Sequence, residues 1–194
     1  MTLPALINRT NNAENVVRLK KSYEVLNQIA YSLKVENGSI VNTLTNIPMI
    51  NPVITGDIFA NIFAEKMNVA KFCSYSTSSE AEGCWTSGNV NKINGTTLAI
   101  TWSSSYILTN DGMSYGFGLA NTDCTTGTAP DQYCGEILVD INGPRNGPYT
   151  LGRDVFRFRL TKDGVSPYPF SDNNCYLGSW GCAKKVLVEG AMNY

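Results

Sequence analysis

The stretch from Val16 to Leu33 reads VVRLKKSYEVLNQIAYSL, and its apolar side chains recur at alternating steps of three and four. This spacing aligns them along one stripe of an α-helix. Asn11-Asn12 can cap the start and Asn37-Gly38 can end it, so the pattern predicts a helix from Asn12 to Glu36, about 37 Å long. The stripe comprises Val16, Leu19, Tyr23, Leu26, Ala30 and Leu33, and the opposite face carries Arg18, Lys20, Lys21, Glu24, Asn27 and Gln28.

The same spacing is compatible with a weak coiled coil, since it extends over three heptads of mixed Val, Leu, Tyr and Ala. Packing of the stripe against the chain's own domain is the alternative that we favour. The basic residues Arg18, Lys20 and Lys21 are interpreted as a solvated face of the helix.

The rest of the chain predicts one more helix followed by short strands. The helix is expected from Asp57 to Lys71, capped by Thr55 or Asp57, with a stripe of Ile58, Phe59, Ile62, Phe63, Met67 and Ala70. Helices that precede strands indicate an α+β fold, and no linker divides the chain into two domains.

The predicted strands are Leu98–Trp102, Tyr106–Leu108, Met113–Leu119, Glu136–Ile141 and Val155–Leu160, with turns at 110–112 and 162–164 and a last short element at Ala183–Val188. In Val155–Leu160 the alternation predicts that Phe156, Phe158 and Leu160 point inward and both arginines outward.

Six cysteines point to an oxidising compartment, because they are even in number and lie in polar, glycine-rich loops. None forms a C-x-x-C pair, which disfavours a zinc ribbon or a thioredoxin-type motif. Their order suggests three local disulfides, although six cysteines allow about fifteen connectivities. The suggested pairs are Cys73 with Cys84, Cys124 with Cys134, and Cys175 with Cys182.

Composition excludes several classes of function. The net charge of −1 disfavours nucleic acid as a partner, since such proteins carry a basic excess. Histidine is absent, which removes Ser-His-Asp and Cys-His catalysis and the commonest zinc ligand. No stretch reaches the ~18 consecutive apolar residues typical of a membrane span.

Several segments, in this order, resemble type IV pilin-like, or prepilin-type, proteins of bacteria. The apolar start followed by a polar helix is similar to the end of the family's hydrophobic segment and the exposed half of its long helix. The segments are MTLPALI (1–7), VRLKKSYEVL (17–26), VDINGP (139–144), GP (147–148), LGRDVF (151–156), DG (163–164), GCA (181–183) and GAMNY (190–194).

The resemblance implies a long N-terminal helix packed on an antiparallel β-sheet, with a second short helix and disulfide-bonded loops. Residues 1–36 would be the C-terminal part of the spine helix and 37–194 the globular head, together one domain. The family also has a basic leader, a processing site ending in glycine and about 20 apolar residues. None of these is in the sequence, so we expect the chain to be the distal part of a longer protein.

The function implied by the resemblance is a non-catalytic structural subunit, a pilin or pseudopilin, of a type IV pilus or related secretion filament. Its partners would be other pilin-like subunits and, through the missing N-terminal helix, the inner membrane. It would be anchored there before assembly and end at the cell surface or outside the cell.

Asp140, Asn142 and Asp154 are candidate calcium ligands. Asp140-x-Asn142-Gly143 places oxygen ligands two residues apart before a turn glycine, faintly like a calcium loop, and Asp154 could join them. Some pseudopilins hold calcium in a loop near the sheet. The alternative is a plain turn in which the Asp140 carboxylate accepts nearby backbone amides, and no other cofactor is expected.

Two other classes of function stay open. A secreted carbohydrate-binding or adhesive module could use Trp85, Trp102 or Trp180 as a stacking platform, although Trp102 in a strand pattern is more typical of a core. A hydrolase could use a carboxylate pair such as Asp140 with Asp154, or Asp111 with Glu136. No spacing distinguishes these pairs from surface carboxylates, so we expect no enzyme.

Overall fold

The structure is a computed structural model that describes residues 3–77, 83–85, 89–98, 103–168 and 182–193, with side chains of the first helix described from Asn12 onward. Within these ranges the α+β prediction is confirmed. The helices are α1 (Leu3–Asn37), α2 (Ile40–Leu44), α3 (Pro52–Ala64) and α4 (Ala183–Glu189). The strands are β1 (Val69–Thr77), β2 (Val90–Asn91), β3 (Thr97–Leu98), β4 (Ser103–Thr109), β5 (Ser114–Leu119), β6 (Gly135–Asp140), β7 (Val155–Thr161) and β8 (Gly164–Pro167).

Helix α1 is longer than predicted at its N-terminal end. It begins at Leu3, so Asn11-Asn12 lie inside the helix and the predicted cap is wrong. Pro4 is tolerated there because the N–H groups of a first turn have no partner within the helix. The predicted end is confirmed, since the helix stops at Asn37 and Gly38 adopts a φ of 80°.

The apolar stripe of α1 packs on the chain's own domain. Its leucines, Leu19, Leu26 and Leu33, are at most 3 % exposed. The ring of Tyr23 stacks on Phe158 of β7 with centroids 5.7 Å apart. Ile29 also joins the same core, so the buried face is wider than the predicted stripe.

The second predicted helix is placed too late in the sequence. Helix α3 starts at Pro52, and the side-chain oxygen of Asn51 accepts the N–H groups of Val53 and Ile54 at 2.9 and 3.4 Å. The proposed caps Thr55 and Asp57 lie inside it. The predicted end at Lys71 is also wrong, because Lys71 already belongs to β1. A proline at the first helical position after a capping asparagine was the overlooked signal.

Six strands form one antiparallel sheet in the order β1-β4-β5-β6-β7-β8. The predicted strands after residue 103 are present with ends that differ by at most three residues, whereas β1, β2 and β8 were missed. Leu98 belongs to β3, and the rest of the predicted strand Leu98–Trp102 lies outside the described residues. Ala183–Glu189, expected only as a short element, is helix α4.

The sheet is covered on both faces. The helices α1 and α3 cover one face, where Phe117, Phe156 and Phe158 form the main core. The other face carries a smaller apolar cluster, which includes Trp85, Tyr106 and Leu138. Packing on this second face corrects the prediction that both arginines of β7 point outward into solvent. Arg157 points away from the main core, yet it is only 7 % exposed.

Two of the predicted disulfides, Cys73–Cys84 and Cys124–Cys134, are present. Cys182 is also disulfide-bonded, while its predicted partner Cys175 lies outside the described residues. The Cys73–Cys84 bond joins strand β1 to the segment that carries Trp85, and so ties the smaller apolar cluster to the sheet. No helix among the described residues combines the length and the apolar character of a membrane span.

Candidate functional site

The candidate site is the loop between β6 and β7, with the two aspartates that flank it. Asp140 ends β6, Asp154 precedes β7, and the ladder pairs Asp140 with Val155. Helix α1 fastens this loop from the side. Arg18 donates through Nη1 to the carbonyl oxygen of Ile141 at 3.2 Å, and Asn15 donates through Nδ2 to that of Arg153 at 3.2 Å.

Asp140 folds the start of the loop into a tight turn. Its Oδ1 accepts the backbone N–H groups of Asn142 and Gly143, both at 3.0 Å. Gly143 has a φ of 78°, and a Cβ there would collide with the carbonyl oxygen of Gly112 in the β4–β5 turn. Glycine is therefore required for both conformation and space.

Asp154 closes the other end of the loop. Its Oδ2 accepts the N–H of Tyr149 at 2.8 Å and its Oδ1 accepts the N–H of Thr150 at 2.5 Å. The Asp154 side chain is fully buried. A buried carboxylate that accepts backbone amides fixes the loop in one conformation, because losing it would leave those amides without partners.

Both carboxyl groups are electrostatically unusual. Burial, followed by the negative charge of Asp154, raises the pKa of Asp140 to about 7 against the lowering effect of its two amide hydrogen bonds. Burial also raises the pKa of Asp154, although backbone amides oppose it. The Oδ2 of Asp140 and the Oγ of Ser114 are buried without hydrogen-bond partners, and the ladder sets these two residues opposite each other on β6 and β5.

This environment predicts that the contribution of Asp140 to stability falls as the pH rises from about 4 to about 7. An unfolded aspartate has a pKa of about 3.9, so the native state holds the Asp140 proton more tightly between these values. Since the native state binds more protons, the free energy of unfolding falls as the pH rises, by up to about 1.4 kcal/mol per pH unit for one proton. Asp140→Asn should flatten this fall, as measured by urea unfolding across that range.

The matched control is Asp163→Asn, which changes an exposed aspartate in the β7–β8 turn. It should leave the fall in stability unchanged. Equal pH profiles for the wild type and Asp140→Asn would contradict the electrostatic description of the loop.

The three calcium candidates come together only in part. Asp140 and Asp154 are close enough for their charges to interact, but three of their four carboxylate oxygens accept backbone amides. Asn142 contributes its N–H to Asp140. No cluster of three or more His, Cys, Asp or Glu suited to a metal occurs among the described residues. The geometry favours the turn, and calcium binding stays a prediction.

A thermal melt with and without a chelator tests the ion directly. Because only the Oδ2 of Asp140 is left without a protein partner, we expect EDTA to leave the melting midpoint unchanged. A midpoint that falls with EDTA and recovers with added calcium, but not in Asp140→Asn, would establish a calcium site instead.

The second carboxylate pair is not brought together. Asp111 lies in the β4–β5 turn, where its Oδ2 is 2.7 Å from the Nζ of Lys21. Glu136 lies toward the other end of the sheet, opposite Gly118, and is bonded to Arg157 and Arg159. This pair therefore offers no acid–base arrangement.

The arginines of β7 form a cluster that sequence reasoning missed. The guanidinium of Arg159 lies 4.1 Å from the ring centroid of Tyr133 and 4.6 Å from that of Tyr168. Glu136, directly across the ladder from Arg159, is bonded to both arginines and offsets one of their two positive charges. Only the strand register reveals this pairing, because Glu136 and Arg159 are far apart in the sequence.

Trp85, the one described residue of the three proposed as a stacking platform, offers little surface. Trp85 is 3 % exposed and packs at 5.4 Å from the ring of Tyr106, while Trp102 and Trp180 lie outside the described residues. Among the described aromatic rings, Tyr31 is the most exposed, at 71 %.

Comparisons with known proteins identify no relative. No family model, no curated protein and no solved structure matches the chain.

Proposed function

We propose that the chain is a structural subunit of a type IV pilus or a related secretion filament, with a type IV pilin-like fold and no catalytic role. The observation that carries this proposal is the packing of helix α1. The helix extends from Leu3 to Asn37, about 52 Å at 1.5 Å per residue, and its apolar stripe from Val16 to Leu33 packs against the sheet. A long N-terminal helix packed on an antiparallel sheet is the arrangement that the resemblance implies.

The packed part of α1 is firmly attached to the rest of the domain, as a helix that holds a globular head in a filament must be. Its buried leucines and the Tyr23–Phe158 stack fix it to the sheet, and Arg18 fixes it to the β6–β7 loop. A load applied to the helix would therefore be spread over the whole domain. Residues 1–36 would be the spine and 37–194 the head, within one cooperative unit.

The apolar segment expected upstream would give the protein two states. In the first it lies in the inner membrane, and in the second it lies in the filament core beside the same segment of neighbouring subunits. Burial of about 20 apolar residues, at ~25 cal/mol per Å², is strongly favourable in either environment. The free energies of the segment in the membrane and in the filament can therefore be close to equal, and a motor protein would drive the transfer toward the filament.

The other features of the chain are consistent with this proposal. Disulfides suit a protein that ends at the cell surface or outside the cell. The net charge of −1 gives no support to nucleic acid as a partner. The proposed partners are other pilin-like subunits and, before assembly, the inner membrane.

The gene sequence upstream of the Met1 codon tests the proposal. We expect an in-frame basic leader, a processing site that ends in glycine, and about 20 apolar residues with a glutamate near their start. An ordinary cleavable secretion signal, with a short apolar region and a small-residue cleavage site, would overturn the proposal and favour a secreted binding module.

A further inference from the structure

A polar cavity of about 410 Å³ lies between helix α1 and the β6–β7 loop, and we call it the α1–loop cavity. Its wall includes amide and guanidinium side chains from both elements, among them Asn12, Arg18, Asn142 and Arg153. Guanidinium groups are donors only, and each amide donates through two N–H bonds. The volume is in the range of small-ligand sites, and these donors favour a ligand rich in acceptor oxygens.

Positive charge dominates the loop side of this cavity. Residues 141–153 contain Arg145 and Arg153 and no acidic residue. Both arginines are exposed, and neither forms an ion pair with a residue that the structure describes. Glu14, which also lines the cavity, is bonded to Arg18 at 3.0 Å, so that pair adds no net charge. Arg153 therefore gives the cavity wall a net positive charge.

The two aspartates that flank the loop do not occupy this wall. Asp140 and Asp154 are fully buried, and neither lines the cavity. Their carboxylates accept backbone N–H groups of the loop, which fixes one wall. Asn15 and Arg18 fix the other wall, because each donates to a loop carbonyl oxygen at 3.2 Å. The cavity therefore has its shape before a ligand arrives, which lowers the entropic cost of binding.

A phosphodiester is the anion that this wall fits best. The guanidinium of Arg153 can donate two parallel N–H bonds to two phosphate oxygens. The side-chain amides of Asn12 and Asn142 make no hydrogen bond within the described part of the chain, so their N–H groups are available to the same ligand. A phosphodiester carries one negative charge and several acceptor oxygens, which matches one uncompensated guanidinium beside neutral amides.

The position of the cavity along α1 points to a membrane as the source of such a phosphate. The sequence is apolar over residues 1–7 and polar over residues 8–12, and α1 runs through this change without interruption. At 1.5 Å per residue, about 7.5 Å of helix separates Ile7 from Asn12. The headgroup region on one side of a bilayer is about 5–8 Å thick. With the apolar start continued into a membrane, the cavity would lie at the depth of the lipid phosphates.

We propose that the α1–loop cavity binds the phosphodiester of an anionic phospholipid headgroup, with Arg153 as its main contact. The inference rests on the proposed function, because that function places the segment upstream of α1 in the inner membrane. Arg145, exposed in the same loop, would add attraction to the anionic surface. The contact would orient the head on the membrane before assembly and would be released when the subunit enters the filament.

Sedimentation with sucrose-loaded vesicles tests this site on the chain of 194 residues. We expect about 25-fold stronger binding to vesicles of about 30 % phosphatidylglycerol in phosphatidylcholine than to phosphatidylcholine alone, since two arginines near an anionic surface contribute about fivefold each. Arg153→Gln should lower binding to the anionic vesicles by about fivefold. The control Lys162→Gln removes the same charge from an exposed residue in the turn at the opposite end of β7, and should change binding by less than about 1.5-fold.

Two further ligands separate lipid from other sources of phosphate. Inorganic phosphate and a single-stranded oligonucleotide, titrated in place of vesicles, should bind at least about tenfold more weakly than the anionic vesicles at equal phosphate concentration. Tighter binding of either one would overturn the assignment to lipid. Equal binding to both kinds of vesicle, or an equal loss in Arg153→Gln and Lys162→Gln, would overturn the inference and leave the filament function standing. A cleavable secretion signal upstream of Met1, with vesicle binding intact, would overturn the proposed function alone.

Discussion

Replacing Leu26 by alanine is expected to lower the free energy of unfolding by about 2–5 kcal/mol, which is the range for a large side chain removed from a rigid core. Leu26 is fully buried in the stripe of α1 that faces the sheet. The loss combines the transfer free energy of the deleted atoms with the cavity that they leave. Urea unfolding with the disulfides intact measures it as a lower midpoint at an unchanged slope.

Tyr31→Ala is the control on the opposite face of the same helix, where the side chain is 71 % exposed. This change should alter the free energy of unfolding by no more than about 0.5 kcal/mol. If both variants lowered the free energy of unfolding by equally little, α1 would not be fixed to the sheet and could not serve as the helix that holds the domain in a filament.

Asp154→Ala should be the second severe change. The carboxylate accepts the N–H groups of Tyr149 and Thr150, and a buried donor left without its acceptor costs about 1–3 kcal/mol. The variant also removes the negative charge that helps to raise the pKa of Asp140. The fall in stability that Asp140 causes should therefore be smaller and end at a lower pH, in addition to the overall loss.

Asp154→Asn separates these two effects. It removes the charge but keeps one acceptor oxygen, so it should cause a smaller loss of stability while moving the pH dependence in the same way. An Asp154→Ala protein as stable as the wild type at neutral pH would show that the loop does not depend on this carboxylate.

The long helix was predictable because one signal dominates its sequence. Steps of three and four fixed the buried face from Val16 to Leu33, and Asn37-Gly38 fixed the end. The start was not predictable from Asn11-Asn12, since a capping residue is only a local preference that a continuing helix can override. The residues before it carry no such periodic signal.

The segment around α3 shows a different limit. Apolar residues at helical spacing predicted a buried stripe, yet Phe59 and Phe63 are buried whereas Ile58 is 36 % exposed. Periodicity tells which residues share a face but not which face the sheet covers. Which apolar side chains of α3 stay exposed therefore became visible only with the tertiary structure.

The acidic loop was partly predictable. The pattern Asp140-x-Asn142-Gly143 indicated either a turn or a calcium loop, and the hydrogen bonds favour the turn. The buried position of Asp154 depends on strand register. So does the position opposite Ser114 of Asp140, whose Oδ2 has no hydrogen-bond partner. Register joins residues that are distant in sequence, so no local pattern reveals it.

The most direct test of the filament account is the location of the chain in the producing cell. Filaments sheared from the cell surface would be labelled with an antibody against residues 37–194 and their proteins quantified by mass spectrometry. We predict that the chain co-purifies with filaments that the antibody labels, and that deletion of the apolar segment that the proposal expects upstream abolishes this without preventing folding. Recovery of the chain only as a free protein in the culture medium, with unlabelled filaments, would contradict the account.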